Sequence, residues 1–307
     1  MYNCTTNFML NYLKNTEIDK MRWNELVSQS SNATIFCFSW YLDAFCSWNA
    51  IIFGDYEGAI ALPIKKQGPF NVIYQPPFIQ KCDWFGEMPK LQEVLEVEEM
   101  ILSKVDYLRF NTNLKLFNAK MRPNYSLPLN NNIIEINSKY NLNLKRNLKK
   151  AQNALMVEAN LDEVFAIYLE TYGNSPFVIS PEEVKLLTVA IQKNVNNFKL
   201  VKIVLDNKTV AIGIYVMNII GKRIHYLLGA PTNFGRQNGA MAFMHNEFIK
   251  NYSSSDWVFD FEGSAIDSVA RFYKQFAPIG EEFYEVEASP NIWFRGVKKL
   301  YKILKRS

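Results

Sequence analysis

The chain has 307 residues, of which 49% are hydrophobic and 21% charged, with a formal net charge of +4. That mixture excludes a disordered chain and gives enough material for two domains of ordinary size. No apolar run reaches the length of a membrane-spanning helix, and the basicity is too local for a protein that binds nucleic acid over its whole surface.

Two segments carry the excess positive charge. Asn291 to Ser307 holds six Lys or Arg and no acid, and Lys139 to Lys150 holds five and no acid. Without the tail alone the chain is already slightly acidic, so these are two surfaces of different character from the rest. Cys4, Cys37, Cys46 and Cys82 fall in the first third, without metal-ligand spacing and with no His nearby. They read as reduced thiols of a cytoplasmic protein. The opening MYNCTTNFMLNYLKN lacks the basic start and continuous apolar stretch of a secretory signal.

In chain order, the spacing of apolar residues predicts helices over Ile18 to Gln29 and Trp40 to Trp48. A hairpin follows in AIIFGDYEGAIALPIKK, turned at Asp55 to Gly58, with Pro63 marking an edge or a bulge. NVIYQPPF is a strand stopped by Pro76 and Pro77, Leu91 to Lys104 is an acidic helix, and YLRFNTN is another strand. From Lys115 to Asn137 the chain crosses over, and IIEI is the clearest strand in that segment. A domain boundary is expected just after it, dividing the chain into 1–137 and 138–307.

The second part opens with the basic helix SKYNLNLKRNLKKAQ, then EANLDEVFAIYLETYG and SPEEVKLLTVAIQKN, the last started by Ser180, Pro181 and Glu183. Three strands follow, with turns at Asp206-Asn207 and Gly221-Lys222. The loop TNFGRQNG leads into the helix AMAFMHNEFIKNY. WVFDFEG is a strand, Ser264 starts a helix with Asp267 in its first turn, and EEFYEVE returns as a strand. The halves echo each other. IIFGDYEGAIALPI and NVIYQPPF match VKIVLDNKTVAIGIYV and RIHYLLGAP in pattern, at an offset of about 150 residues. The fold class is therefore α+β, with a duplicated domain.

Several residues carry chemistry. Arg236, Gln237, Asn238, Gly239 and Ala240 occupy a strand-loop-helix junction, where free backbone N–H groups and the helix dipole favour an anion or make a plain helix start. Asp260 and Glu262 straddle Phe261, so a strand points both to one face. They can hold an ammonium or act as a base, or they cap a helix and pair with Arg271. His225, next to Tyr226, is placed to deprotonate an amine or to be satisfied by a backbone group. His245 is read as structural, and two isolated histidines argue against a metal. Lys145, Arg146, Lys149 and Lys150 form a patch suited to a CoA phosphate, a tRNA backbone or a phosphorylated substrate, or a solvated face. In the tail, Trp293, Val297, Leu300 and Leu304 make one helical stripe, which packs on its own domain or lies on an anionic membrane.

Three stretches, SKYNLNLKRNLKKA, GIYVMNIIGKRIHYLLGAP and DFEGSAIDSVARFYKQFAPIGEEF, resemble the Fem-type (FemABX-like) group of tandem GNAT (Gcn5-related N-acetyltransferase) proteins. WNELVSQSSNATIFCFSWYLDAF is similar to that group as well. The resemblance implies two GNAT-like domains, each a mixed, mostly antiparallel twisted sheet flanked by helices. It also implies transfer of an acyl group from acyl-CoA to a small-molecule or peptide amine, the alternative donor being aminoacyl-tRNA. The long helical insertion of tRNA-dependent members has no counterpart here. Arg236 and Gly239 match the anion-loop pattern of GNAT enzymes, whereas Met241 stands in place of its small residue. Tyr273 stands where many of them carry the acid that protonates the departing thiolate, leaving Glu262 or His225 as the base. On the same resemblance Asp260, Arg271, Tyr226, Lys145 and Arg146 face the substrates, and the first domain shapes the acceptor cleft. The rival expectations are a non-catalytic binding protein of this fold and a tRNA- or membrane-associated factor.

Overall fold

A computed structural model describes residues 9–175, 178–263 and 266–304. Cys4 and Ser264 lie outside the described residues. The elements are, in order, β1 (Leu10–Lys14), α1 (Lys20–Gln29), α2 (Ser39–Phe45), β2 (Trp48–Phe53), β3 (Gly58–Gln67), β4 (Phe70–Ile73), β5 (Trp84–Gly86), α3 (Leu91–Leu102) and β6 (Tyr107–Thr112). There follow β7 (Lys120–Pro128), α4 (Ile133–Ser138), α5 (Leu142–Lys150), β8 (Leu155–Glu158), α6 (Leu161–Tyr172), α7 (Pro181–Lys193), β9 (Phe198–Leu205), β10 (Lys208–Asn218) and β11 (Arg223–Pro231). The chain closes with α8 (Asn233–Gln237), α9 (Ala240–Tyr252), β12 (Val258–Asp260), α10 (Asp267–Tyr273), β13 (Ile279–Ala288) and α11 (Ile292–Leu304).

Two compact units emerge, 1–122 with 282–307, and 123–281. The division falls at 122/123 where 137/138 was expected, and the chain end belongs to the first unit. Strand pairing is the reason. β7 supplies a strand to the sheet of the second unit, and β13 returns to pair with β6 of the first.

In the first unit β1 to β4 run antiparallel in sequence, β6 lies parallel to β4, and β13 is antiparallel to β6. In the second unit β8 to β11 run antiparallel, β12 lies parallel to β11, and β7 is antiparallel to β12. Both sheets are mixed and mostly antiparallel, as the family resemblance implies, and they use the same series of pairings. The echo in the sequence is the β2–β3 hairpin with β4 set against the β9–β10 hairpin with β11.

Local signals explain most elements. Ser180 accepts from the Glu183 amide while the Glu183 carboxylate accepts from the Ser180 amide, and Pro181 starts the helix. Asp206 and Asn207 both take positive φ, 51° and 58°, as a two-residue hairpin between β9 and β10 requires. The core of the first unit is aromatic, with Trp23 packed against Trp48 and Phe85 at ring separations of 4.9 Å. α11 packs on the β4–β6 side of this unit through Phe294, which stacks on Tyr107 at 4.9 Å and meets Phe70 edge-on at 5.2 Å. Of the tail stripe, Trp293 and Val297 are exposed, and the side chains of Leu300 and Leu304 are outside the described set.

Two expectations change. IIEI is not a strand but the start of α4, and β7 is the strand of the crossing segment. The Asn132 side chain accepts from the Glu135 amide, and Ile133, Ile136 and Tyr140 then face the core at helical spacing. A good N-cap together with burial outweighs the small intrinsic preference of isoleucine for strands. Secondly, α2 ends at Phe45, and Trp48 opens β2 instead of closing a helix. Replacing Asn132 by Ala is expected to cost roughly 1 kcal/mol, and Asn132→Asp to recover most of it, read from urea-unfolding midpoints.

Candidate active site

β11 and β12 separate early. Their parallel pairing covers Arg223 to His225 against Val258 to Asp260, yet β11 continues to Pro231. On its other edge β11 carries one extra residue, Leu227, between the pairs Tyr215↔Tyr226 and Ile214↔Leu228. A bulge of this kind turns the strand and raises its twist. A cavity of about 540 Å3 opens here, lined by residues from β11, α8, α9 and α10, by Tyr172 at the end of α6 and by the side of α5 at Asn147.

Glycines let the helices come close. A Cβ on Gly235 would lie 1.9 Å from the Val210 carbonyl oxygen, which seats α8 against β10. Gly239 caps α9 with φ +71°, and a Cβ there would meet the Asn147 carbonyl oxygen at 2.5 Å. α9 therefore begins at the cavity wall, and helix geometry leaves the amides of its first turn without intrahelical acceptors. Of the five loop residues expected there, Arg236, Gly239 and Ala240 line the cavity, while Gln237 and Asn238 do not. The Gln237 carbonyl accepts from Lys150 Nζ, and the Asn238 amide donates to Phe234 O. Met241 lines the cavity too.

Tyr273, at the end of α10, is buried and lines the cavity. Burial first, and then the nearby Glu262 carboxylate, push its phenol above the ordinary value, so it holds its proton at neutral pH. Tyr226 also lines the cavity and is likewise raised by burial.

The acidic pair lies elsewhere. β12 stops at Asp260, and Glu262 takes a left-handed φ of 65°, so the two carboxylates are not successive residues on one strand face. They still converge. Asp260 Oδ1 accepts from the Glu262 amide at 2.8 Å, and His225 Nδ1 lies 2.5 Å from Glu262 Oε1 and 3.6 Å from Asp260 Oδ2. The cation paired with Asp260 is Arg223, at 2.7 Å, in place of the expected Arg271, which is exposed. Arg223 also reaches Glu281 at 2.5 Å, and Asn124 and Ser126 donate to that carboxylate. Burial opposes the charge of Asp260, yet the Arg223 and His225 charges hold its carboxyl below the usual range. His225, Asp260 and Glu262 do not line this cavity. Their ligand atoms fall within 4.8 Å of one another, but donors of the protein already occupy Asp260.

His245 joins the site instead. It is fully buried, lines the cavity, and sets Nδ1 2.8 Å from the Tyr215 hydroxyl. From the sequence it reads as structural, on the helix after the loop. A histidine turned into an aromatic core and one turned into a cavity have the same sequence pattern. Lys145 and Arg146 are exposed and do not line the cavity, and Lys145 Nζ donates to the Ser138 carbonyl.

No family model and no curated protein matches this sequence. Solved structures do. FemX superposes with a TM-score of 0.62 at 11% identity, covering 95% of this chain and 99% of its own. A conserved protein of unknown function from Bacteroides thetaiotaomicron gives 0.57 at 10% identity, over 90% and 99% of the two chains. The C-terminal DUF2156 domain of a protein assigned as a lysylphosphatidylglycerol synthetase from Agrobacterium fabrum gives 0.54 at 12%, over 92% and 95%. This chain has a Fem-like, GNAT-type fold. In that fold the cavity lies where a mixed sheet separates beside the glycine-led start of a helix. Among the described residues no helix is long and apolar enough to cross a membrane.

His245 also makes the site sensitive to acid. Burial lowers its pKa from 6.5 to about 3, so between these values the unfolded chain binds the additional proton. Stability is complete above that window and falls by about 1.4 kcal/mol for each pH unit on acidification within it. Unfolding free energies measured at pH 7 and pH 5 should converge on those of His245→Gln as pH falls; a wild-type slope equal to that of the variant would refute this assignment.

Proposed function

We propose that the chain is an N-acyltransferase that takes an activated acyl group into the β11–β12 cavity and passes it to an amine. The observation that carries the reading is the meeting of three features at one cavity: the separated strand pair, the α9 start at Gly239, and buried Tyr273. The Fem-like fold supports it, and the common order of pairings in the two units supports reading them as tandem GNAT-like domains. Acyl-CoA is the donor this reading favours. Arg236 and the first-turn amides of α9 suit its pyrophosphate, and the apolar walls suit its pantetheine arm.

Attack by the amine nitrogen on the acyl carbon forms the C–N bond while the C–S bond breaks, and sulfur leaves with the electron pair. Tyr273 gives its proton to the thiolate and regains one from the proton that the amine sheds. No covalent enzyme intermediate is required, because a cavity that fixes donor and amine together supplies most of the advantage.

A second reading exchanges acyl-CoA for aminoacyl-tRNA. It is favoured by the likeness to a domain named for lysylphosphatidylglycerol synthesis and by the exposed cations Lys145, Arg146, Lys149 and Lys150 on α5. Met241 on the cavity wall is the feature that favours a binding protein without catalysis.

Thermal unfolding with acetyl-CoA, longer acyl-CoAs and CoA separates these readings. Saturable stabilisation by the acylated ligands, weakened about tenfold in affinity by Arg236→Ala, supports the donor site. No shift with any thioester removes acyl-CoA as donor. With an amine acceptor in hand, Tyr273→Phe is expected to lower kcat by about 10²-fold while leaving donor affinity within about twofold.

A further inference from the structure

The transfer chemistry above employs Tyr273 and leaves His245 without a role, although the imidazole is the more unusual group. Its Nδ1 is engaged by the Tyr215 hydroxyl at 2.8 Å, and its Nε2 is buried with no hydrogen-bond partner among the described residues. Aromatic rings surround it, with the Tyr226 ring centroid at 4.6 Å and those of Phe259, Phe261, Phe272 and Phe276 between 5.6 and 5.9 Å. The same side chain lines the cavity. An isolated polar nitrogen in apolar surroundings is unfavourable until a ligand pairs with it.

The hydroxyl determines which hydrogen that nitrogen carries. A phenol is a stronger acid than the N–H of a neutral imidazole, so Tyr215 donates and Nδ1 accepts. The ring proton then resides on Nε2, which makes it a donor. Tyr215 is itself fixed, its ring 3.9 Å from that of Phe248, so the imidazole is held in both tautomer and orientation. Burial keeps the ring neutral at physiological pH.

We propose that His245 donates its Nε2–H to the carbonyl oxygen of the activated acyl group, a thioester or an ester, when the donor occupies the cavity. This rests on the donor-site reading above and adds the residue that polarises the reacting carbonyl. As the amine adds, negative charge grows on that oxygen, and a donor fixed in a dry site stabilises it without reorganising. His245 neither gains nor loses a proton in the step. Its test is therefore a difference between acylated and unacylated ligands, which a merely structural histidine would not affect.

The experiment titrates the full chain with CoA, with acetyl-CoA labelled at the carbonyl carbon, and with a 3′-aminoacyl adenosine that mimics the end of a charged tRNA. The wild type is expected to prefer an acylated ligand over its unacylated form by about tenfold, and His245→Phe to reduce that preference to near one while still binding CoA or adenosine. Tyr215→Phe, which frees the tautomer, should fall between them. The infrared stretch of the bound labelled carbonyl should be lower in the wild type than in His245→Phe. A preference for the thioester arm alone, or for the ester arm alone, identifies the donor source, and either supports the proposal. Equal preference and equal carbonyl frequency in wild type and variant overturn the role of His245 and leave the donor site intact. Failure of the wild type to bind either acylated ligand overturns the donor site and the role together. Should His245→Phe not fold, the wild-type Nε2 nitrogen resonance decides: it must move with acylated ligand and remain in place with CoA or adenosine.

Discussion

A strand that leaves its neighbour inside a sheet strips backbone amides and carbonyls of their ladder partners, and those groups must be accommodated in another way. β11 does this after His225, and the architecture of the second unit is arranged around the gap. The bulge at Leu227 turns the strand, Gly235 lets α8 press on β10, and Gly239 lets α9 begin against α5. The two helix contacts are close approaches that a side chain would block. The cavity is thus a consequence of how the sheet separates, and its walls come from whichever helices can reach the gap.

The root of the gap is held by charge. Arg223 lies between Asp260 and Glu281, with Asn124, Ser126 and the Glu262 amide satisfying the remaining oxygens. Taking such ions out of water costs several kcal/mol each, so a cluster of this kind adds little net stability. Breaking it by removing one partner is far costlier, about 3–5 kcal/mol, and the register of β11 on β12 is pinned for that reason. His225 belongs to this polar cluster and His245 to the aromatic shell of the cavity. One unit therefore contains two buried histidines in opposite surroundings, one among carboxylates and one among rings.

The first unit repeats the device with different chemistry. β4 and β6 pair in parallel through only two residue pairs, Val72↔Tyr107 and Ile73↔Leu108. A cavity of about 400 Å3 adjoins that pair, with Lys65, Gln75, Arg109 and Glu285 among its lining. Among the described residues no glycine-led helix start lines it, and its charged groups are already engaged, Arg109 with Glu285 and Lys65 over the Tyr74 ring. The same separation of strands yields an apolar cavity with a helix start in one unit and a polar cleft in the other.

The sequence by itself determined the elements whose causes are local. The capping box at Ser180 and Glu183, the Asp206-Asn207 turn, the glycine-led start of α9 and the pattern shared by the two hairpins act over a few residues, and they read directly as structure. IIEI failed as a strand because an asparagine cap and a buried isoleucine face compete with propensity, and only packing settles that competition. Tertiary structure alone decided that Arg223, and not Arg271, pairs with Asp260, because the pairing depends on the register of β11 against β12. It alone decided that Glu262 reaches His225 through a left-handed turn, and that His245 lies at a cavity wall with Tyr215 on its other nitrogen. Those partners are between 30 and 37 residues apart in sequence. No periodicity within a single element encodes which of its faces will meet them.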